Sequence, residues 1–440
     1  MLAHLSIVAG LLLSSGAVLA AAAAPAQVRA CPAELPAGTR CHAGQDAHGA
    51  YTWTAIPAAW NGILVVHSHG GPRLGAPRPD DEVDDLRRFA VVVAEGYAWT
   101  ASTYRRGGFG VQAAAEDTER ARAAFWASFG RPRLTFLHGQ SWGAAVALKA
   151  ARLAAPGAYD GVLLTSGIVV GAAEAYEFRA HLRSVYQYYC ANLPAPGEAP
   201  YPPWQGLGAA GLDAGAVAQR VGECTGVGLE PGQRSPRQRR ALANILGVTG
   251  LSEQSLPGHM TWSTQSLRAL TMDYLEGASP FGNIGVRYRG SDDDAALNRG
   301  VQRYAAALRA VAALEADSGV SGALAAPTLS MHAIDDPVVF VEGDSSLRER
   351  VDAAGKGQLL VQTYTREALH TRLATPQYAA LLQALRAWVE QGLRPTPAGV
   401  AASCPAFEAR YGEQCAFQPD YVPHALSTRG ANWRAEGGAP

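Results

Sequence analysis

Between Leu134 and Leu153 the chain passes from a short apolar stretch, Leu134-Thr135-Phe136-Leu137-His138, through Gly139-Gln140-Ser141-Trp142-Gly143, into a helix-forming run bearing Ala144, Val146, Ala147, Leu148, Ala150 and Ala151. No other segment constrains the fold as tightly. The strand must turn sharply into the helix, and the two glycines let backbone pack closely around that turn. A turn of this kind pushes the Ser141 side chain out of the end of a sheet and into a cleft.

Similar alternation continues on both sides. Tyr51 to Pro57 and Gly62 to Ser68 carry β-branched and aromatic residues bounded by Pro, Asn and Gly, and read as strands. Asp80 to Gly96 opens on acidic residues, spaces its apolar positions helically and ends on glycine, which predicts a helix. Tyr97 to Thr103 reads as a strand, Val111 to Gly130 as a helix and Gly161 to Ser166 as a strand. The alternation stops near Gly171 and resumes at Pro327, with strands at Thr328 to Ala333 and Gln358 to Tyr364 and a helix from Pro376 to Gln391. Short buried strands alternating with helices specify an α/β fold with a mostly parallel sheet covered on both faces. The long interruption holds the Pro-rich Leu193 to Trp204, the Arg-rich Arg234 to Arg240 and several short helical patterns, and predicts a mainly helical cap inserted between two strands. The expected organisation is a signal segment over 1–26, core over 27–170, cap over 171–325, core again over 326–393, and a C-terminal extension over 394–440. No internal repeat is visible.

At 440 residues, 48% hydrophobic and 17% charged, the composition is that of a globular chain. The net charge of -1, with both signs interspersed, gives no electrostatic footprint for nucleic acid or an anionic membrane. Leu5 to Ala24 is an uncharged apolar run followed by small residues, the pattern of a secretory signal cleaved near residues 20–27. Met1-Leu2-Ala3-His4 lacks the usual positive charge, which keeps an uncleaved anchor as an alternative. A lipoprotein acylated at Cys31 is another, although Arg29 makes a poor acylation box. Cys31, Cys41, Cys190, Cys224, Cys404 and Cys415 form three pairs close in sequence, so the shortest loops give Cys31–Cys41, Cys190–Cys224 and Cys404–Cys415. Six reduced thiols are the alternative; no CxxC spacing suggests a metal. A secreted or periplasmic protein is expected, without stable membrane association after cleavage.

A serine hydroxyl becomes a useful nucleophile only when a neighbouring base takes its proton, and acyl transfer then needs two donors for the oxyanion. Ser141 is the candidate nucleophile. The N–H of Trp142, at a helix start, is one candidate donor; Gly70 or Gly71 in His67-Ser68-His69-Gly70-Gly71-Pro72 supplies the other. His67, His69 and His138 could alternatively be read as metal ligands, but no acidic ligand follows them, and neither metal nor cofactor is expected. His69 reads as a structural hydrogen-bonding residue under the oxyanion loop.

On these motifs the sequence resembles the α/β-hydrolase superfamily over Tyr51 to Ser166 and Pro327 to Gln391. The resemblance implies an order of serine, acid, histidine along the chain. His370 and His424 are the late histidines; His370, just past a strand, is the expected base, while His424 lies in the extension. Asp335 and Asp336 follow Thr328 to Ala333, and Asp336, before Pro337-Val338-Val339, is the expected acid, with Asp335 as the alternative. Ile56-Pro57-Ala58-Ala59-Trp60-Asn61-Gly62 running into Ser68-His69-Gly70 is similar to a group of secreted bacterial hydrolases. Ser141-Trp142-Gly143 with His69-Gly70-Gly71-Pro72 is similar to prolyl aminopeptidases, although Arg73-Leu74 departs from their glycine-rich continuation. The resemblance implies a serine hydrolase acting on a small-molecule ester, or on a peptide through the same residues. A peptidase would need a site for an amine or carboxylate, for which Glu174, Glu177 and Arg179 are candidates unless they form a solvated helix face. A non-catalytic binding protein on the same fold is the third reading. Tyr104, Tyr176 and Trp204 are candidates for an apolar substrate pocket, with core packing as the alternative.

Overall fold

The protein is described by a computed structural model over residues 24–209 and 211–435. The expected signal segment lies outside the described residues except for Ala24–Ala26, which belong to the first strand. The strands are β1 Ala24–Arg29, β2 Arg40–Gln45, β3 Tyr51–Ile56, β4 Ile63–Ser68, β5 Ala98–Ser102, β6 Leu134–Gln140, β7 Gly161–Thr165, β8 Val286–Tyr288, β9 Thr328–Ala333, β10 Leu360–Thr365 and β11 Trp433–Ala435.

Nine of them make one sheet in the order β1-β2-β3-β5-β4-β6-β7-β9-β10. The first pairings, through β3–β5, are antiparallel, and all those from β5 to β10 are parallel. The parallel strands are buried along almost their whole length because helices cover both faces; every residue of β4 and of β9 is buried. One face packs Trp142, Val146 and Phe125, and the other packs Val92, Leu381 and Trp388. The parallel register sets Ser68 opposite Gly139, which brings the loop after β4 beside the turn after β6.

Two expectations change. The segment Asp80 to Gly96 forms two short helices, Val83–Arg88 and Ala90–Ala94. The chain breaks at Phe89, whose ring packs 4.9 Å from the ring of His67 and 4.8 Å, edge-on, from that of His138. The β1–β2 hairpin, its connecting loop closed by Cys31–Cys41, was not anticipated and extends the sheet at its antiparallel end.

Between β7 and β9 lies an insertion whose longer helices are Ala172–Cys190, Ala214–Thr225, Pro236–Thr249, Leu256–Arg268 and Leu308–Ser318. It has its own core, including Leu182, Val221, Ile245 and Met260, and Cys190–Cys224 joins its first two helices. The insertion grips the rest of the fold through Asp317, whose carboxylate accepts the N–H groups of Val111 and Gln112 at 2.9 Å. These are orphan donors at the first turn of the helix Val111–Phe129, which starts at Gly110 without a side-chain cap of its own.

The C-terminal segment does two jobs. Helices Pro397–Ser403 and Pro405–Tyr411 pack by the helix Thr375–Gln391, with Cys404–Cys415 closing the loop between them and the next stretch. Arg366 N then donates to Ala416 O (3.0 Å) and Gln418 N to Tyr364 O (2.8 Å), covering the free edge of β10. Beyond this, the chain crosses to the insertion, where β11 pairs antiparallel with β8 and Trp433 enters the insertion's core. Three disulfides mark a protein of an oxidising, extracytoplasmic compartment. Among the described residues no helix is long and apolar enough to cross a membrane.

The Asp317 cap yields a direct test. Asp317→Ala is expected to destabilise the fold by about 2 kcal/mol, the worth of charge-assisted bonds to buried backbone donors. Urea unfolding measures it; an unchanged midpoint would mean that the helix end needs no partner from the insertion.

Candidate active site

Ser141 sits between β6 and the helix Trp142–Leu153 with φ 57° and ψ -126°. A positive φ is uncommon for a residue with a β-carbon and persists where the surroundings impose it. Ser141 N donates to Thr165 O at 3.0 Å, and Ser141 O accepts from Ile168 N at 2.9 Å. The glycines leave no alternative: a β-carbon on Gly139 would stand 2.7 Å from Ala144 Cα, and one on Gly143 would run into the carbonyl oxygens of Ser68 and His69.

Two loops reach Ser141 from the far end of the sheet. After β10, His370 places Nε2 at 2.7 Å from Ser141 Oγ and Nδ1 at 2.8 Å from Asp336 Oδ2. After β9, Asp336 also accepts the N–H groups of Val338 and Val339 on Oδ1, at 2.8 and 2.9 Å. Burial works against the Asp336 charge, but His370 and His332 outweigh it and hold the carboxyl well below the usual range. Asp335 is exposed, and so is His424. The arrangement therefore brings together Ser141, His370 and Asp336 and leaves the two alternatives outside.

On the opposite side, Gly70 approaches so closely that a β-carbon there would lie 3.2 Å from Ser141 Cβ. Gly70 on one side and Trp142, next in sequence, on the other thus flank the serine with backbone. His69 lies beneath, its Nδ1 at 2.7 Å from Gly70 O and its ring stacked 4.0 Å from that of Tyr104. The loop is held by Arg73, which pairs with Glu82 and, at 2.8 Å, with Asp85 on the helix Val83–Arg88. His67 contacts Asp85 at 3.4 Å and His138 at 3.0 Å, and burial lowers both histidines below their ordinary value. Among the described residues no cluster of three or more His, Cys, Asp or Glu is arranged for a metal.

Tyr104, Tyr176 and Trp204 pack with the main core: Tyr104 and Tyr176 are buried, and Trp204 is partly so. None of them lines the cavity of about 720 Å³ that opens between the insertion, the Asp336 loop and the C-terminal segment. That cavity is walled by Phe178, Phe340 and Trp433 and also meets Glu174, Glu177 and Arg179. Arg179 is 5% exposed; its guanidinium donates to Ala175 O and Val338 O and lies over the ring of Tyr176. Sequence reasoning missed the charged cradle of Arg73, Glu82 and Asp85. It also missed His332, buried behind Asp336, and Asp344 beyond it. The available signal was a histidine within a short strand, four positions before a candidate acid.

No protein-family model matches the chain, and no curated protein matches it. Among solved structures it is similar to feruloyl esterase B from Aspergillus oryzae, with 13% identity, 85% of this chain and 86% of that chain covered, and a TM-score of 0.45. It is also similar to a hormone-sensitive lipase from a metagenome library (13% identity, 86% and 88% covered, TM-score 0.37). A third is a rice cell wall degrading esterase from Xanthomonas oryzae (16% identity, 75% and 83% covered, TM-score 0.36). The strand order, the strained turn from β6 into a helix, and the loops after β9 and β10 converging on it give this chain the α/β-hydrolase fold.

Proposed function

We propose that the protein is an exported serine hydrolase that cleaves a carboxylic ester through an acyl-enzyme. One observation carries this reading: Ser141 Oγ, His370 and Asp336 form a continuous hydrogen-bonded line, with steps of 2.7 and 2.8 Å, at a serine held with positive φ. In the proposed reaction Oγ attacks the carbonyl carbon while His370 Nε2 takes its proton. Asp336, accepting from Nδ1, fixes the tautomer and stabilises the imidazolium. The oxyanion is received by the N–H of Trp142 and by that of Gly70 or Gly71. His370 returns the proton to the departing alkoxide, the ester C–O bond breaks, and a water activated by His370 then releases the acid and frees Ser141.

A second reading has its own support. Glu174, Glu177 and Arg179 meet one cavity next to the Asp336 loop, where they offer charges to a peptide terminus, and Ser141, His370 and Asp336 would then cleave an amide. Parallel assays on p-nitrophenyl esters and on aminoacyl or prolyl anilides separate the two; faster turnover of anilides would move the assignment to a peptidase.

Ser141→Ala is expected to lower turnover of p-nitrophenyl butyrate by roughly 10⁴-fold or more with an unchanged melting temperature. Full activity in that variant would end the proposal. Asp336→Asn should cost about 10⁴-fold in kcat, whereas Asp335→Asn should leave kcat within a few-fold of the parent. The reverse ranking would transfer the acid's role to Asp335.

A further inference from the structure

The histidine behind Asp336 has no part in the reaction as written, yet its surroundings are unusual. His332 is the fifth residue of β9 and 1% exposed. Its ring lies between two carboxylates. Nε2 is 3.5 Å from Asp336 Oδ2 and 3.2 Å from Val339 O, and Nδ1 is 3.5 Å from Asp344 Oδ2, at the start of the helix Gly343–Ala353. Asp344 is also 1% exposed, and its Oδ2 and the His332 Nδ1 have no closer partner among the described residues.

Proton placement follows from those contacts. Val339 O accepts only, so Nε2 must carry a hydrogen to meet it. A neutral ring with that hydrogen would turn the lone pair of Nδ1 toward the Asp344 carboxylate, setting acceptor against acceptor in a site without water access. A buried carboxylate facing no donor is strongly disfavoured. A proton on Nδ1 removes the conflict and gives each carboxylate a charged neighbour.

We infer that His332 is a positioning residue for the proposed triad: an imidazolium clasped by Asp344 that steadies Asp336 from behind and damps its charge toward His370. This rests on the reading of Ser141, His370 and Asp336 as the catalytic line. Burial alone would strip the proton from His332, but Asp344 and Asp336 outweigh it and push the ring up to about 10. The other groups facing this cluster do not replace it. From the insertion, Arg179 acts on Asp336 through space, while burial brings His259 down to about 3 and so leaves it neutral. On β10, burial pushes the Tyr364 phenol far above its usual range. Glu342, two residues before Asp344, is paired with Arg429 at 2.9 Å.

A positive charge behind Asp336 is felt along the whole Ser141–His370–Asp336 line, and the pH profile of the reaction reads its removal. In His332→Gln the acid limb of kcat/KM for p-nitrophenyl butyrate is expected to move up by about one pH unit, the effect of removing one charge at this range. Asp344→Asn, which loosens the His332 proton, should move it the same way and serves if His332→Gln does not fold. A histidine that only fills space would change stability and leave the limb in place, and that result overturns the inference. Histidine-labelled NMR on the full chain gives an activity-free readout: the His332 ring should be protonated at pH 8, and a neutral ring there also overturns it. The stability linkage has a definite sign. A histidine raised from 6.5 to about 10 stabilises the fold fully below about pH 6.5 and loses that contribution as pH rises through about 10. The melting-temperature deficit of His332→Gln should therefore be greatest near pH 6 and shrink toward pH 10. An active Ser141→Ala would instead remove the triad reading, and the positioning role with it, whatever His332→Gln shows.

Discussion

The backbone of Ser141 is the constraint on which the rest of the structure depends. Its positive φ is tolerable only because Gly139 and Gly143 let the helix after β6 close against β4 and its following loop, and because Thr165 and Ile168 hold both sides of the peptide. Any β-carbon at the two glycines would push helix, strand and loop apart. The parallel register of β4 and β6 then does the remaining work by setting the Gly70–Gly71 loop beside the serine. Strain of this kind belongs to sites where the side chain has a task beyond packing, which agrees with the proposed role of Ser141 as nucleophile.

Much of this could be read in the sequence because it is local. The strand, the glycine-flanked serine and the helix after it are contiguous, and an apolar run bounded by Pro and Gly needs no tertiary knowledge to be recognised as a strand. What could not be read depends on distant partners. The break at Phe89 answers to His67 and His138, on two other strands. The β1–β2 hairpin lies at the edge of the sheet in a polar, weakly patterned stretch. Arg73 looked only like a departure from a familiar motif until Glu82 and Asp85 were placed around it. His332 belonged to the same class: a histidine in a short buried strand has no evident meaning until Asp344 is brought to its other side by the helix that follows.

The electrostatic organisation beneath the site is uneven. On the Gly70 side, neutral histidines and a buried Arg–Glu–Asp cluster stiffen a loop. On the Asp336 side, the buried carboxylates of Asp336 and Asp344 flank the His332 ring, with Arg179 nearby. Buried ionic clusters are costly and give little net stability, so their presence on both flanks of one serine points to geometry as what they secure. The insertion contributes to the Asp336 side at its edge, through Arg179 and His259.

The path of the C-terminal segment has a mechanical consequence. A body hung from two adjacent strands can rock about the line joining them, as a flap does on its hinge. Here β7 and β9 are those two suspension points; the Asp317 bonds to Val111 and Gln112 hold the insertion elsewhere, and β11 adds a further support through a stretch bonded along β10 and stapled by Cys404–Cys415. Three non-collinear supports leave a rigid body no free axis. Access to the 720 Å³ cavity then falls to rotations of individual side chains at its walls, the aromatic rings of Phe178, Phe340 and Trp433 among them.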